Sequence, residues 1–129
     1  KVQILWNRDS YKNMIKLKSY AKINLTLDIL GKRPDGYHEI ESIMQAISLA
    51  DEILLEKTKE GIECLCNYPG IPEGKENLTY KAAEILLKGK RMGVKININK
   101  SVPPAAGLGG GSSNAAAVLI GVNKLFNLN

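Results

Sequence analysis

From Ile15 to Ile29 the odd positions are Ile15, Leu17, Ser19, Ala21, Ile23, Leu25, Leu27 and Ile29, while the even ones include Lys16, Lys18, Lys22, Asn24, Thr26 and Asp28. Apolar residues recurring at every second position over this length specify an extended strand with one buried and one polar face. Lys22, Asn24, Thr26 and Asp28 are then expected on the face opposite the core. Gly31 and the run Arg33-Pro34-Asp35-Gly36 should end the strand in a turn.

The following segments carry weaker signals. Ile40, Ile43, Met44 and Ile47 follow the i, i+3, i+4, i+7 spacing of a helix face, although Ile43, Ile47 and Leu49 also fit alternation; pattern alone favours a helix. Residues 51 to 57 and 61 to 68 read as strands around a turn at Lys59-Glu60-Gly61. Asn77 is a good N-cap for a helix whose one face carries Leu78, Ala82, Ile85 and Leu86 as far as Gly89. Val94, Ile96 and Ile98 alternate with Lys95, Asn97 and Asn99 as another half-buried strand, stopped by Pro103-Pro104. Ser112 or Ser113 then caps a helix carrying Ala116, Leu119, Ile120 and Val122 to about Phe126. Strands, helix, strand, helix in that order give an α+β fold.

The 129 residues suffice for one domain and are too few for two. Residues 1–13, with the polar run Asn7-Arg8-Asp9-Ser10 and a potential start at Met14, read as an amino-terminal extension without a function; residues 14–129 read as the domain. The 18 Lys and Arg against 13 Asp and Glu leave a charge of +5, which favours nucleotides, phosphorylated metabolites or RNA as partners without choosing among them. With neither a long apolar run nor a signal-peptide core, a soluble cytoplasmic protein without a membrane partner is expected. Cys64 and Cys66, two apart on a strand, should face one way as buried thiols, since neither redox nor zinc spacing is present.

Between the last strand and the last helix lies Pro103-Pro104-Ala105-Ala106-Gly107-Leu108-Gly109-Gly110-Gly111-Ser112-Ser113-Asn114. Glycines allow backbone torsions and close approaches that a Cβ forbids, so successive N–H groups can converge on phosphate oxygens. The helix start adds a positive dipole end, and the Ser112 and Ser113 hydroxyls can donate to phosphate or help hold a magnesium ion. A Walker loop is excluded, because Gly111 is followed by Ser112 rather than by lysine. A dinucleotide fingerprint fits poorly, since Ser112 takes its third glycine position. A glycine-rich turn that merely packs helix on sheet stays open from composition alone.

The stretch resembles the P-x-x-x-G-L-G phosphate loop of the GHMP kinases, with Pro103 and Gly107 at the right spacing. Two further blocks agree. Ala21-Lys22-Ile23-Asn24-Leu25, continued by Gly31-Lys32-Arg33-Pro34-Asp35-Gly36-Tyr37-His38, is similar to the opening motif of the branch acting on 4-diphosphocytidyl-2-C-methyl-D-erythritol, and Glu76-Asn77-Leu78 to its adenine-side helix start. The resemblance implies a fold like ribosomal protein S5 domain 2, with a left-handed βαβ crossover and with residues 39 to 50 as strand rather than helix. It also implies transfer of the γ-phosphoryl group of ATP to the 2-hydroxyl of that cytidine diphosphate derivative, a step of non-mevalonate isoprenoid synthesis, with Mg2+ present.

The implied roles fall on Lys22 as the catalytic residue; on Asn24, Tyr37 and His38 for the substrate; and on Asn77, Lys100 and Pro103 through Ser113 for ATP, with Ser112 toward the metal. These loop residues are Pro103, Pro104, Ala105, Ala106, Gly107, Leu108, Gly109, Gly110, Gly111, Ser112 and Ser113. The family's proton-accepting aspartate and its carboxy-terminal domain would lie beyond residue 129. On that reading the chain is a truncated amino-terminal segment, inactive alone, weak in nucleotide affinity and prone to self-association. Alternatives are another GHMP small-molecule kinase, disfavoured by Gly36-Tyr37-His38, and an RNA-binding module. The latter is disfavoured by 5% aromatic content and the lack of a dense basic cluster, so no nucleic-acid partner is expected.

Overall fold

The alternating run does form a strand, and its reach exceeds the pattern that announces it. In the computed structural model, which describes residues 1–5 and 13–128, strands β1 (Val2–Leu5), β2 (Met14–Lys32), β3 (His38–Thr58), β4 (Gly61–Cys66) and β5 (Gly93–Asn99) form one sheet with helices α1 (Leu78–Leu87) and α2 (Gly110–Phe126). The strand order is β1-β2-β3-β5-β4; β4 and β5 are parallel and every other pair is antiparallel. The two strands around the Lys59-Glu60-Gly61 turn are therefore not neighbours. β5 lies between them, reached from β4 through α1.

The ladder between β2 and β3 runs from Met14 opposite Glu56 to Lys32 opposite His38. Residues 39 to 50 are thus strand, as the family resemblance implied and against their helical spacing. Partner strand β2 pairs one edge of this segment, whereas a helix would have had no core to face: Ile40, Ile43 and Met44 are all exposed. Gly31 does not end β2; the turn comes at Arg33–Tyr37, where Gly36 takes a φ of 88° that favours glycine. Register shifts between Tyr20 and Lys22, Asn24 and Thr26, and Ile29 and Gly31 interrupt the strict alternation. The second inserts one residue into β2, so Thr26 pairs with Ile43 and leaves the face that Lys22 and Asn24 share.

Both helices pack on one side of the sheet, where Val118 and Val122 of α2 share a core with Leu17, Ile53, Leu55, Val94 and Ile96 of the strands. The other side is polar, crossed by the ion pairs Lys16–Glu52 at 3.0 Å and Lys95–Glu63 at 3.4 Å. Residues 2–5 of the supposed extension are an edge strand of this sheet, with Val2 opposite Ser19 and Leu5 opposite Lys16. The polar run at 7–10 lies outside the described residues. Cys64 is buried and Cys66 half-buried, both free; burial pushes the Cys64 thiol up, against a hydrogen bond with Thr79 at 3.1 Å.

The helices turn different faces inward from those the large apolar residues suggest. In α1 the buried residues are Thr79, Ala82, Ala83 and Leu87, while Leu78 and Ile85 are exposed. In α2 they include Ala117, Val118, Gly121, Val122 and Leu125, while Ala116, Leu119 and Ile120 face outward. Small residues win because the backbone of α2 lies close to the sheet: a Cβ at Gly121 would collide with Leu55 Cδ1 and come within 3.0 Å of Leu17 Cδ1. Gly121→Val should therefore overpack this contact and lower stability by about 1–3 kcal/mol. Urea unfolding should show a reduced midpoint at unchanged slope; an unaltered midpoint would mean that α2 does not sit this close.

Candidate functional site

The chain leaves β5 at Asn99 and reaches α2 through the glycine loop. The helix starts at Gly110, earlier than a serine cap would allow, because Gly109 takes the N-cap position at φ 70° and ψ 14°, a left-handed conformation that glycine adopts freely. Ser112 and Ser113 are consequently first-turn residues rather than caps. No side chain caps the helix, so the partnerless N–H groups of its first turn stay available to an anion. Ala105 at φ 57° and Gly107 at φ 72° shape the rest of the loop.

Lys22 is brought to this loop. Its backbone N–H donates to the Leu108 carbonyl at 3.0 Å, its Nζ donates to Asn24 Oδ1 at 3.0 Å, and its stem lies along Gly109, where a Cβ would sit 3.2 Å from Cγ and 3.3 Å from Cε. A helix start, a glycine turn and an ammonium therefore converge. Ser113 strengthens the junction instead of facing a ligand: its hydroxyl donates to the Tyr20 carbonyl at 2.9 Å and accepts from Ser19 Oγ at 2.8 Å. Ser112 is exposed.

Lys100 does not present its ammonium as expected. Nζ is 2.8 Å from Asp51 Oδ2, with the two side chains 4% and 0% exposed. Asp51 also accepts from Ser101 N and Val102 N, both at 2.7 Å, and from Asn114 Nδ2 at 2.9 Å. Burial pushes its carboxyl up, but the hydrogen bonds from Lys100, Val102, Ser101 and Asn114 outweigh that and hold it below the usual carboxylate range. Sequence reading missed Asp51. A signal existed: it stands two before Ile53 on the inward period of β3, and Lys100, just past the end of β5, stands two after Ile98 on the same period, so two opposite charges fall on the core side.

Asn77 caps α1 as expected, its Oδ1 accepting from Thr79 N at 2.9 Å and Thr79 Oγ1 at 2.7 Å while Nδ2 donates to the Pro72 carbonyl at 2.8 Å. Beside it a cavity of about 210 Å³ opens between the starts of α1 and α2, with Ile71, Pro72, Leu78 and Ile98 as apolar wall and Asn77 and Asn114 among its polar groups. It is smaller than the roughly 300–1,000 Å³ usual for a whole ligand, which suits one flat ring of a larger molecule. Asn114 Oδ1 is buried without a hydrogen-bond partner among the described residues.

Tyr37 and His38 are not brought to this site. They stand at the tip of the β2–β3 arm, Tyr37 being 75% exposed, and the strand from Lys22 to Lys32 spans on the order of 30 Å. Along the arm Leu25, Leu27, Ile29 and Ile43 are exposed as well.

Residues 77–129 match the GHMP kinases N terminal domain. The chain is 54% identical over 117 residues to 4-diphosphocytidyl-2-C-methyl-D-erythritol kinase of Acetivibrio thermocellus, covering 89% of this chain and 41% of that one. To the like-named protein of Geobacter sp. strain M21 it is 51% identical, covering 88% and 42%. Among solved structures, a 4-(cytidine 5'-diphospho)-2C-methyl-D-erythritol kinase superposes with a TM-score of 0.74 at 40% identity, covering 86% of this chain and 40% of the other. A homoserine kinase from Cytophaga hutchinsonii superposes at 0.70 with 21% identity over 95% of this chain and 38% of its own, a likeness of fold alone. The chain spans about two fifths of the length of these curated relatives.

Proposed function

We propose, from the premise that this chain belongs to the GHMP kinases, that the whole protein transfers the γ-phosphoryl group of ATP to the 2-hydroxyl of 4-diphosphocytidyl-2-C-methyl-D-erythritol. The observation that carries this reading is the seating of Lys22 against the glycine loop at the start of α2. Phosphoryl transfer asks chiefly for positioning and for stabilisation of charge on the transferring group. First-turn N–H groups of α2 supply the cradle, and the Lys22 ammonium, steadied by Asn24, lies where charge would develop. The cavity beside Asn77 takes the adenine ring, with the unpartnered Asn114 Oδ1 near it as an acceptor for an amino group.

Mg2+ is held in such sites by phosphate oxygens, waters and one or two protein oxygens. The exposed Ser112 hydroxyl fits that part, and the ion would neutralise phosphate charge. Among the described residues no helix is long and apolar enough to cross a membrane.

Turnover by the full-length protein, followed as ADP release with the cytidyl substrate, homoserine and mevalonate compared, tests the reading. Preference for either of the latter would sink it, while the 129-residue chain alone should show no turnover. Tyr37→Ala in the full-length protein should raise KM for the cytidyl substrate about tenfold, the loss of one base stack, and leave KM for ATP unchanged. Equal KM values for the substrate would remove the arm's tip from cytidine recognition.

A further inference from the structure

Phosphoryl transfer leaves Asp51 without a role, yet Asp51 is wholly buried beneath the phosphate loop. Its two oxygens grip different parts of the chain. Oδ1 accepts from the successive N–H groups of Ser101 and Val102, immediately before Pro103. Oδ2 accepts from Lys100 Nζ and from Asn114 Nδ2, one turn inside α2. The loop from Pro103 to Gly109 is thus fixed at both ends by one carboxylate.

The helix start bears on the same group, since a Cβ at Gly110 would lie 3.0 Å from Val102 Cγ1 and 3.2 Å from Lys100 Nζ. Gly110 therefore rests on the clamp. Between its ends the loop has three left-handed residues, Ala105, Gly107 and Gly109, two of them glycines with little intrinsic preference for one conformation. Fixing the ends narrows what such a loop can adopt.

We propose that the Asp51–Lys100 pair is the positioning element of the glycine loop, holding its N–H groups in the arrangement that an anion needs. The charge pair as such is a weak source of stability; what an apolar pair could not do is accept from the Ser101 and Val102 N–H groups at the start of the loop. Nor is Lys100 a free phosphate ligand, its ammonium being taken up by Asp51. The two roles predict opposite signs. Neutralising Asp51 frees Lys100, which would tighten ATP binding if the lysine met phosphate directly, and weakens it if the pair sets the loop.

The inference rests on the nucleotide reading above, and full-length protein separates the two. Wild type and Asp51→Asn are compared by KM for ATP, by kcat, and by inhibition with adenosine, which lacks phosphates. A rise of about tenfold in KM for ATP, equivalent to about 1.4 kcal/mol, with adenosine inhibition unchanged, is the expected result. An unchanged or lower KM in an active enzyme overturns the positioning role alone; a wild type without ATP-dependent turnover overturns the kinase reading and this one with it. Where Asp51→Asn yields no folded protein, Asp51→Glu keeps the charge and the pair but shifts the carboxylate by one methylene. It should raise KM for ATP about threefold, and a wild-type value there equally overturns the proposal.

Discussion

Replacing Lys22 by alanine in the full-length protein should lower kcat by roughly 10²–10³, about 2.7–4 kcal/mol of transition-state stabilisation, and change KM for ATP little. The asymmetry follows from how Lys22 is held. Its backbone N–H keeps the Leu108 carbonyl whatever the side chain, so the loop stays against β2 and the phosphate cradle survives. What disappears is the ammonium and its bond to Asn24 Oδ1, a charge that matters most when the transferring group carries most negative charge. A rise in KM for ATP at unchanged kcat would make Lys22 a ground-state phosphate ligand instead. Unchanged kinetics would remove it from the reaction. Circular dichroism of the variant should match wild type, since the stem only flanks Gly109.

The parts of this architecture that were legible in sequence are those in which one residue type has one local cause. Alternation from Ile15 gave β2, and Asn77 capped α1, because pleat and cap chemistry act over a few residues. The helix faces were misread for a reason visible at Gly121. Close approach of α2 to Leu17 and Leu55 rewards small residues, whereas a search for large apolar side chains selects Leu119 and Ile120, which face outward. Residues 39 to 50 misled similarly: spacing that fits a helix says nothing about a partner strand elsewhere in the chain. At the site, the glycine loop and Lys22 could each be picked out alone, but their contact across more than 80 residues of sequence is a property of the sheet. Asp51 escaped because its meaning is wholly tertiary, divided among Lys100, Ser101, Val102 and Asn114.

That same group should dominate the acid limit of stability. Asp51→Ala leaves the Lys100 ammonium buried without its counter-charge and two backbone N–H groups without an acceptor, a loss of about 3–5 kcal/mol by analogy with other broken buried pairs. The sign of the pH dependence follows from the depressed carboxyl. Its folded pKa lies below the ordinary 3.8, so the native state releases the proton more readily than the unfolded chain. Its contribution is complete above the unfolded value and is lost as pH falls through the folded one. Urea midpoints measured from pH 7 down to pH 2 should therefore fall below about pH 4 in wild type, and fall less in Asp51→Ala. Equal acid limbs would mean that Asp51 is not the group being titrated. Removing both charges together, as Asp51→Leu with Lys100→Met, should recover only the part of the loss that comes from the stranded ammonium, because the Ser101 and Val102 N–H groups still lack their acceptor. If that double variant has a higher midpoint at pH 7 than Asp51→Ala but binds ATP no better in the full-length protein, folding and loop geometry have been separated, and the pair is retained for the second.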